Sequence, residues 1–243
     1  FAVATHTYQD KYYDYIDRGS THSATRIIPM MQAMIDIRSV LDVGCGRGAW
    51  LAAWCGHGVD DIVGIDGDYI ERDKLPFAAE RFIAHDLTRG FDVGRKFDLV
   101  QCLEVAEHLP EKCAKNLVEG LVGHGDVVLF SAASPGQGGE NHINEQPLSY
   151  WITRFQEHGY DAVDALRPNL RTDRTVEPWY RYNAIIFARR GHRLFATVEA
   201  PSWQVFQAPV LWRIRNAALG FLPVSAITAL ARVKHALARN LSH

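Results

Sequence analysis

What most constrains this chain is a rhythm: short runs rich in Val, Ile, Leu and Phe alternate with stretches of helical spacing. Residues 39–43 lead into a helix through Trp50, Leu51 and Trp54, and residues 61–65 end on Asp66. Residues 81–84 run into His85, Asp86 and Leu87, while 97–102 and 126–131 flank a helix over 111–121. Strands that alternate with helices pair in parallel through crossover connections, so the expectation is an α/β sheet wound on both faces. Beyond them, a helix over 148–158 and two further strands, 160–166 and 182–188, complete a set of seven.

The first strand-to-helix junction carries the pattern Asp42-x-Gly44-x-Gly46-x-Gly48. A glycine-rich turn lets a ligand approach the backbone, and the helix behind it offers unpaired N–H groups. The spacing differs from the G-x-G-x-x-G turn that packs around a pyrophosphate. That difference disfavours a nucleotide-dependent oxidoreductase, and an acid ahead of the glycines suits a positively charged ligand.

On these residues the chain resembles the class I S-adenosylmethionine-dependent methyltransferases. The resemblance implies a seven-stranded, doubly wound, Rossmann-like sheet, mostly parallel with one antiparallel strand, and S-adenosylmethionine as cofactor. It implies that Asp42 supports the cofactor's ammonium group, with Gly44, Cys45 and Gly46 against its methionine part. Asp66, followed by Gly67, then takes the ribose hydroxyls. Asp86 meets the adenine amine with Leu87 beside the ring, and Cys102 and Leu103 close the pocket from the fourth strand. Three acids at three successive strand ends make the combination specific.

A methyl acceptor that is a hydroxyl needs a base for its proton. His142, in the polar loop after the fifth strand, is the first candidate, and His108 the second. Helical spacing would also bring Glu104, Glu107 and His108 to one face, where with His142 they form a candidate site for Mg²⁺ or another divalent cation. That E-x-x-E-H pattern is similar to one in metal-dependent small-RNA 2′-O-methyltransferases and ubiquinone-pathway O-methyltransferases. Asn141, Asn144, Glu145 and Gln146 offer hydrogen bonds to a polyhydroxylated acceptor. The leading expectation is therefore O-methylation of a sugar-containing or other hydroxylated small molecule or natural product. Its alternatives are a metal-dependent RNA 2′-O-methyltransferase and a non-catalytic, cofactor-binding partner subunit.

Composition enters at the ends of the chain. Residues 1–37, with Tyr8, Tyr12, Tyr13 and Tyr15, are expected to form an N-terminal helical lid; 38–190 the cofactor-binding core; and 191–243 a basic amphipathic extension. That extension holds six basic residues against Glu199 alone, a net charge of +5 that leaves −7 for the rest of the chain. Val224, Ile227, Leu230, Val233, Leu237 and Leu241 follow helical spacing, which suits docking on the body, a homodimer contact or a peripheral membrane contact. Arg167, Arg171 and Arg174, with Trp179 and Tyr180, are expected either to read the acceptor or to form a solvated face. The net charge of −2 and the lack of a basic patch by the core argue against nucleic acid as a partner. Four cysteines without a C-x-x-C pair predict reduced thiols and a cytoplasmic protein, membrane-associated if the tail serves that purpose.

Overall fold

A computed structural model describes residues 10–198, 208–222, 226 and 229, with side chains from residue 19 onward. Helix α1 (Asp10–Met34) precedes strand β1 (Ser39–Val43), helix α2 (Ala49–Gly56), β2 (Asp61–Asp66), β3 (Phe82–Ala84) and β4 (Leu99–Leu103). Helix α3 (Ala114–His124), β5 (Val127–Ser131), α4 (Leu148–Glu157) and β6 (Tyr160–Val163) follow. Two short helices, α5 (Arg167–Leu170) and α6 (Pro178–Asn183), lead to β7 (Ile185–Arg189), α7 (Leu194–Thr197) and α8 (Val210–Leu219). The strands form one sheet in the order β3-β2-β1-β4-β5-β7-β6. Neighbours from β3 to β5 are parallel, and β7 runs antiparallel to both β5 and β6. The single reversed strand expected for the sheet is therefore β7.

Apolar side chains cover both faces of the sheet, as a doubly wound parallel core requires. On one face Trp54, Leu51 and Ile62 pack with α1; on the other Phe130, Trp151, Phe155 and Phe187 pack beside α3 and α4. Phe155 and Phe187 stack with ring centroids 3.8 Å apart. The described part of α1 belongs to this core. Ala24, Ile27, Ile28 and Met31, spaced i, i+3, i+4 and i+7, are fully buried. Each large side chain so buried contributes roughly 1.5–3 kcal/mol, so this stretch is an integral helix of the fold. Tyr8, Tyr12, Tyr13 and Tyr15 fall outside the described side chains.

Two strand boundaries differ from expectation by three residues, each for an identifiable reason. The last strand begins at Ile185 because Pro178, with φ preset for a first helical turn, opens α6 across the residues before it. Strand β6 stops at Val163 because Asp164 turns to clasp Arg167, whose Nε donates to Asp164 Oδ1 at 2.9 Å while Nη1 donates to the Tyr182 carbonyl at 3.0 Å. Arg167 is thus buried and paired inside the fold, which corrects both readings of it as an acceptor contact or a solvated residue.

Candidate active site

The carboxyl ends of β1, β2 and β4 open into a cavity of about 740 Å³ lined by Asp42, the 44–47 turn, Asp66, Gly67, Asp86 and Leu87 on one side. The opposite side is lined by Glu104, Glu107, His108, Gln137, His142, Trp179 and Trp212. This is where open α/β sheets bind ligands, because adjacent connections there part to opposite faces.

The first side is built from strand ends. Gly44 has φ +82, and a Cβ there would lie 2.3 Å from Val105 Cγ2, so position 44 demands glycine on two counts. Asp66 ties the turn to β2: Oδ2 accepts from the Gly46 N–H at 2.7 Å, and Oδ1 accepts from the Gly67 N–H at 2.7 Å and from the Tyr69 hydroxyl. Burial pushes the Asp66 carboxyl above its usual range, while the Tyr69 hydroxyl and the two backbone donors hold it back. Burial, with Asp66 adding repulsion, pushes Asp42 up to about 7. Among the described residues neither acid has an ion-pair partner. Two buried carboxylates without cations beside a glycine cradle fit a ligand that brings positive charge and hydroxyl donors, which are the functional groups of S-adenosylmethionine.

Asp86 reaches the cavity edge but is largely exposed, and its Oδ1 accepts from the Thr88 N–H and hydroxyl at 3.0 and 2.7 Å. Those bonds hold its carboxyl below the usual range. Leu87, Cys45 and Leu103 line the cavity. Cys102 does not: strand alternation turns it into the core with Phe130 and Trp151, and Leu103 presents the wall instead.

The second side is assembled from distant segments. Glu104 has φ +56 and precedes a 3-10 turn over Ala106–His108, so it does not share a helical face with Glu107 and His108 as the spacing predicted. Its carboxylate accepts from Gln137 Nε2 at 3.0 Å and Asn183 Nδ2 at 3.4 Å. Glu107, His108 and His142 do converge, with ligand atoms within 4.8 Å of one another. Glu107 is completely buried and, among the described residues, neither of its oxygens has a hydrogen-bond partner. Desolvation, reinforced by the Glu104 charge, drives its carboxyl far above the usual range. Nδ1 of His108 donates to the Asn141 carbonyl at 3.3 Å, and burial with His142 beside it lowers its pKa to about 4. His108 is therefore neutral near pH 7, with Nε2 free to accept.

His142 stands edge-on to His108, ring centroids 5.0 Å apart. Its Nδ1 lies 2.8 Å from Glu145 Oε1. The Gly138 and Gly136 N–H groups donate to Glu145 at 2.8 and 2.7 Å. Burial alone would raise Glu145, but its bond with His142 and these two donors outweigh it and keep it an anion. A fixed carboxylate on Nδ1 orients the ring and leaves Nε2 as the base, the arrangement by which carboxylates position catalytic imidazoles. The sequence marks Glu145 as an acceptor contact, whereas the spacing His142-x-x-Glu145 makes it the partner of the imidazole. Nothing local in the sequence marks Gln137 and Asn183 as partners of Glu104.

Helix α8 roofs this side. Trp212, Arg215 and Leu219 line the cavity; Arg215 Nη1 donates to the Gln137 carbonyl at 2.9 Å and Asn216 Nδ2 to Ser134 Oγ at 3.2 Å. Gly136, with φ +74, lets the two backbones meet, since a Cβ there would fall 1.9 Å from the Asn216 carbonyl oxygen. The helical positions expected from 224 to 241, like Trp203 and Phe206, lie outside the described side chains.

Comparison with known proteins accords with this geometry. Residues 6–160 match the family model described as a methyltransferase domain. None of the curated proteins matches the chain in sequence. In fold the chain is similar to SAM-bound CalS10, an amino pentose methyltransferase from Micromonospora echinaspora involved in calicheamicin biosynthesis, at 17% identity and TM-score 0.54 over 77% of this chain and 100% of that one. It is similar to the sugar N-methyltransferase KedS8 from Streptoalloteichus sp ATCC 53650, at 19% identity and TM-score 0.53 over 78% and 99%. It is also similar to the SAH-bound magnesium protoporphyrin IX methyltransferase ChlM from Synechocystis PCC 6803, at 18% identity and TM-score 0.51 over 71% and 85%.

Proposed function

The chain belongs to the methyltransferase domain family, and from that membership we propose that it methylates a hydroxyl of a sugar-containing or other polyhydroxylated small molecule. S-adenosylmethionine supplies an activated methyl group, so the protein's contribution is alignment of the acceptor and removal of its proton. The observation that carries the choice of a hydroxyl is the Glu145–His142 pair at the cavity wall. A neutral amine attacks through its lone pair, whereas a hydroxyl oxygen is a poor nucleophile until its proton is removed, and an imidazole oriented by a half-buried carboxylate is the group that takes that proton. His142 is the base. His108, lowered to about 4, is too weak a base for that role and instead forms the wall beside it. Asp42 faces the cofactor's ammonium group and Asp66 its ribose hydroxyls, while Trp179 lines the acceptor's side; Asn144 and Gln146, expected there, lie off the cavity wall, Asn144 Nδ2 donating to the Ala106 carbonyl and Gln146 Nε2 to Asn144 Oδ1. The fold kinship with an amino pentose methyltransferase and a sugar N-methyltransferase accords with a sugar acceptor.

A second reading rests on Glu107. A buried carboxylate with both oxygens unpartnered beside two imidazoles fits a divalent cation, and mixed nitrogen and oxygen donors suit a transition ion such as Mn²⁺ or Zn²⁺. Glu107, His108 and His142 would hold it, and it would lower the pKa of an acceptor hydroxyl. Glu104, engaged by Gln137 and Asn183, would support Glu107 rather than join the set. RNA 2′-hydroxyls are the acceptor class of that reading.

Both are tested by incubating the protein with S-adenosylmethionine and a panel of glycosides, amino sugars and short RNAs, with and without chelator, and reading the methyl carbon by NMR. A methyl ether on a small molecule, formed in the presence of chelator, is expected. Methylation confined to amines overturns the hydroxyl assignment, and chelator-sensitive methylation of RNA favours the metal reading.

A further inference from the structure

Helix α8 has two faces, and only one belongs to the cavity. Trp212, Arg215, Asn216 and Leu219 turn inward. The outward face carries Val210, Leu211 and Ile214, which are 66%, 80% and 60% exposed, then Ala217 and Ala218, and after the helix Phe221 at 90%. Arg213, on its flank, is the one charged side chain there. An exposed apolar stripe on a short helix is a feature that monomeric surfaces rarely leave uncovered.

Charge says what covers it. Residues 201–243 contain Arg213, Arg215, Arg232, Lys234 and Arg239 and no acid at all, in a chain with 28 acidic residues. A second copy of the same face would bring like charges together. An anionic lipid surface meets both properties: its headgroups attract Arg213 on this face and the net charge of +5 carried by residues 201–243, and its acyl boundary accepts Leu211, Ile214 and Phe221. Among the described residues no helix is long and apolar enough to cross a membrane, so the helix would lie in the interface plane. We propose that α8 is an interfacial docking element that seats this protein on anionic lipid bilayers with the roof of its cavity against the membrane. The inference is independent of the acceptor's identity.

The test is co-sedimentation of the full chain with vesicles of phosphatidylcholine alone and of phosphatidylcholine containing phosphatidylglycerol, at low and high salt. Wild type is expected to bind the anionic vesicles and to lose binding as salt rises. The double variant L211E/I214E should lose at least about tenfold in partition while S-adenosylhomocysteine affinity stays within about twofold, because neither side chain lines the cavity. Three results would overturn the proposal. One is binding to neither vesicle, with a wild-type dimer that the variant converts to monomer, which gives the face to a second copy. Another is binding to neither vesicle, with a variant that melts several degrees lower, which gives it to the chain's own remaining residues. The third is vesicle binding that the double variant leaves unchanged.

Discussion

The two sides of the cavity are built by opposite strategies. The side we propose for the cofactor comes from consecutive strand ends: Asp42 and the glycine turn from β1, Asp66 from β2, Asp86 from the residues after β3. Each group is placed by the strand that carries it, and Asp66 secures the next by accepting from Gly46. The acceptor's side has no such frame. Glu104, Gln137, His142, Asn183 and Arg215 come from four separate segments, Gln137 and His142 sharing the loop after β5, and hydrogen bonds made by their side chains position them. A ligand common to a whole family can be held by the sheet itself, whereas one that differs between members is held by what loops and terminal helices bring to it.

The largest effect expected is on the loop-built side. His142→Ala should lower kcat by roughly 100- to 10,000-fold, the range for a lost general base, with S-adenosylhomocysteine affinity within about twofold. Glu145→Gln should lower kcat by about tenfold in the same direction. If either variant weakens cofactor binding as much as turnover, the two sides are not separable and the comparison fails. Next comes Asp66→Ala, which removes a buried acceptor of two backbone N–H groups and, in the proposed complex, of ribose hydroxyls. Calorimetry should show S-adenosylhomocysteine binding weakened about 100-fold, as for the loss of one or two hydrogen bonds to a charged group. Unchanged affinity would remove Asp66 from the cofactor's contacts.

Asp42 provides a sharper test through pH. Its carboxyl titrates at about 7 in the folded protein against 3.8 ordinarily, so between those values the folded state holds a proton that the unfolded state has lost. The stability of the free protein should therefore fall as pH rises from about 4 to about 7, by at most about 1.4 kcal/mol per pH unit, and level off above. A cation at Asp42 favours the deprotonated form. S-adenosylhomocysteine affinity should thus rise across the same window, by at most about tenfold per unit, with proton release measurable by calorimetry in two buffers. Flat affinity would show that the ammonium group lies elsewhere. The smallest effect belongs to Asp86→Ala, a few-fold loss of affinity, because its carboxylate is exposed and already engaged by Thr88.

The same division decides what was readable in advance. Strands β1 to β5 are mostly apolar runs, broken only by single polar residues such as Asp42 and Gln101, and such runs declare themselves locally. The ends of β6 and the start of β7 depend on Arg167 reaching Tyr182 and on Pro178 opening a turn, which are tertiary facts. In the site, the acids stand at strand ends that the apolar runs mark, and the roles expected of them are those the family resemblance implies. Cys102 was misplaced by a single residue of strand alternation, and Glu104 by a left-handed backbone that helical spacing does not foresee. Gln137 and Asn183 acquire meaning only once Glu104 is seen between them.

The clasp of α8 on the loop after β5 also sets an order of events in folding. Asn216 and Ser134 are 82 positions apart, and Arg215 grips a carbonyl of Gln137, which is itself held by Asn183 and Glu104. The platform on which α8 settles therefore exists only after three distant stretches have met, so the helix is the last piece to find its place. During refolding, the ability to retain S-adenosylhomocysteine should return before the fluorescence of Trp212 reports its burial. The molecule regains the pocket for its methyl donor first and the roof over its acceptor last.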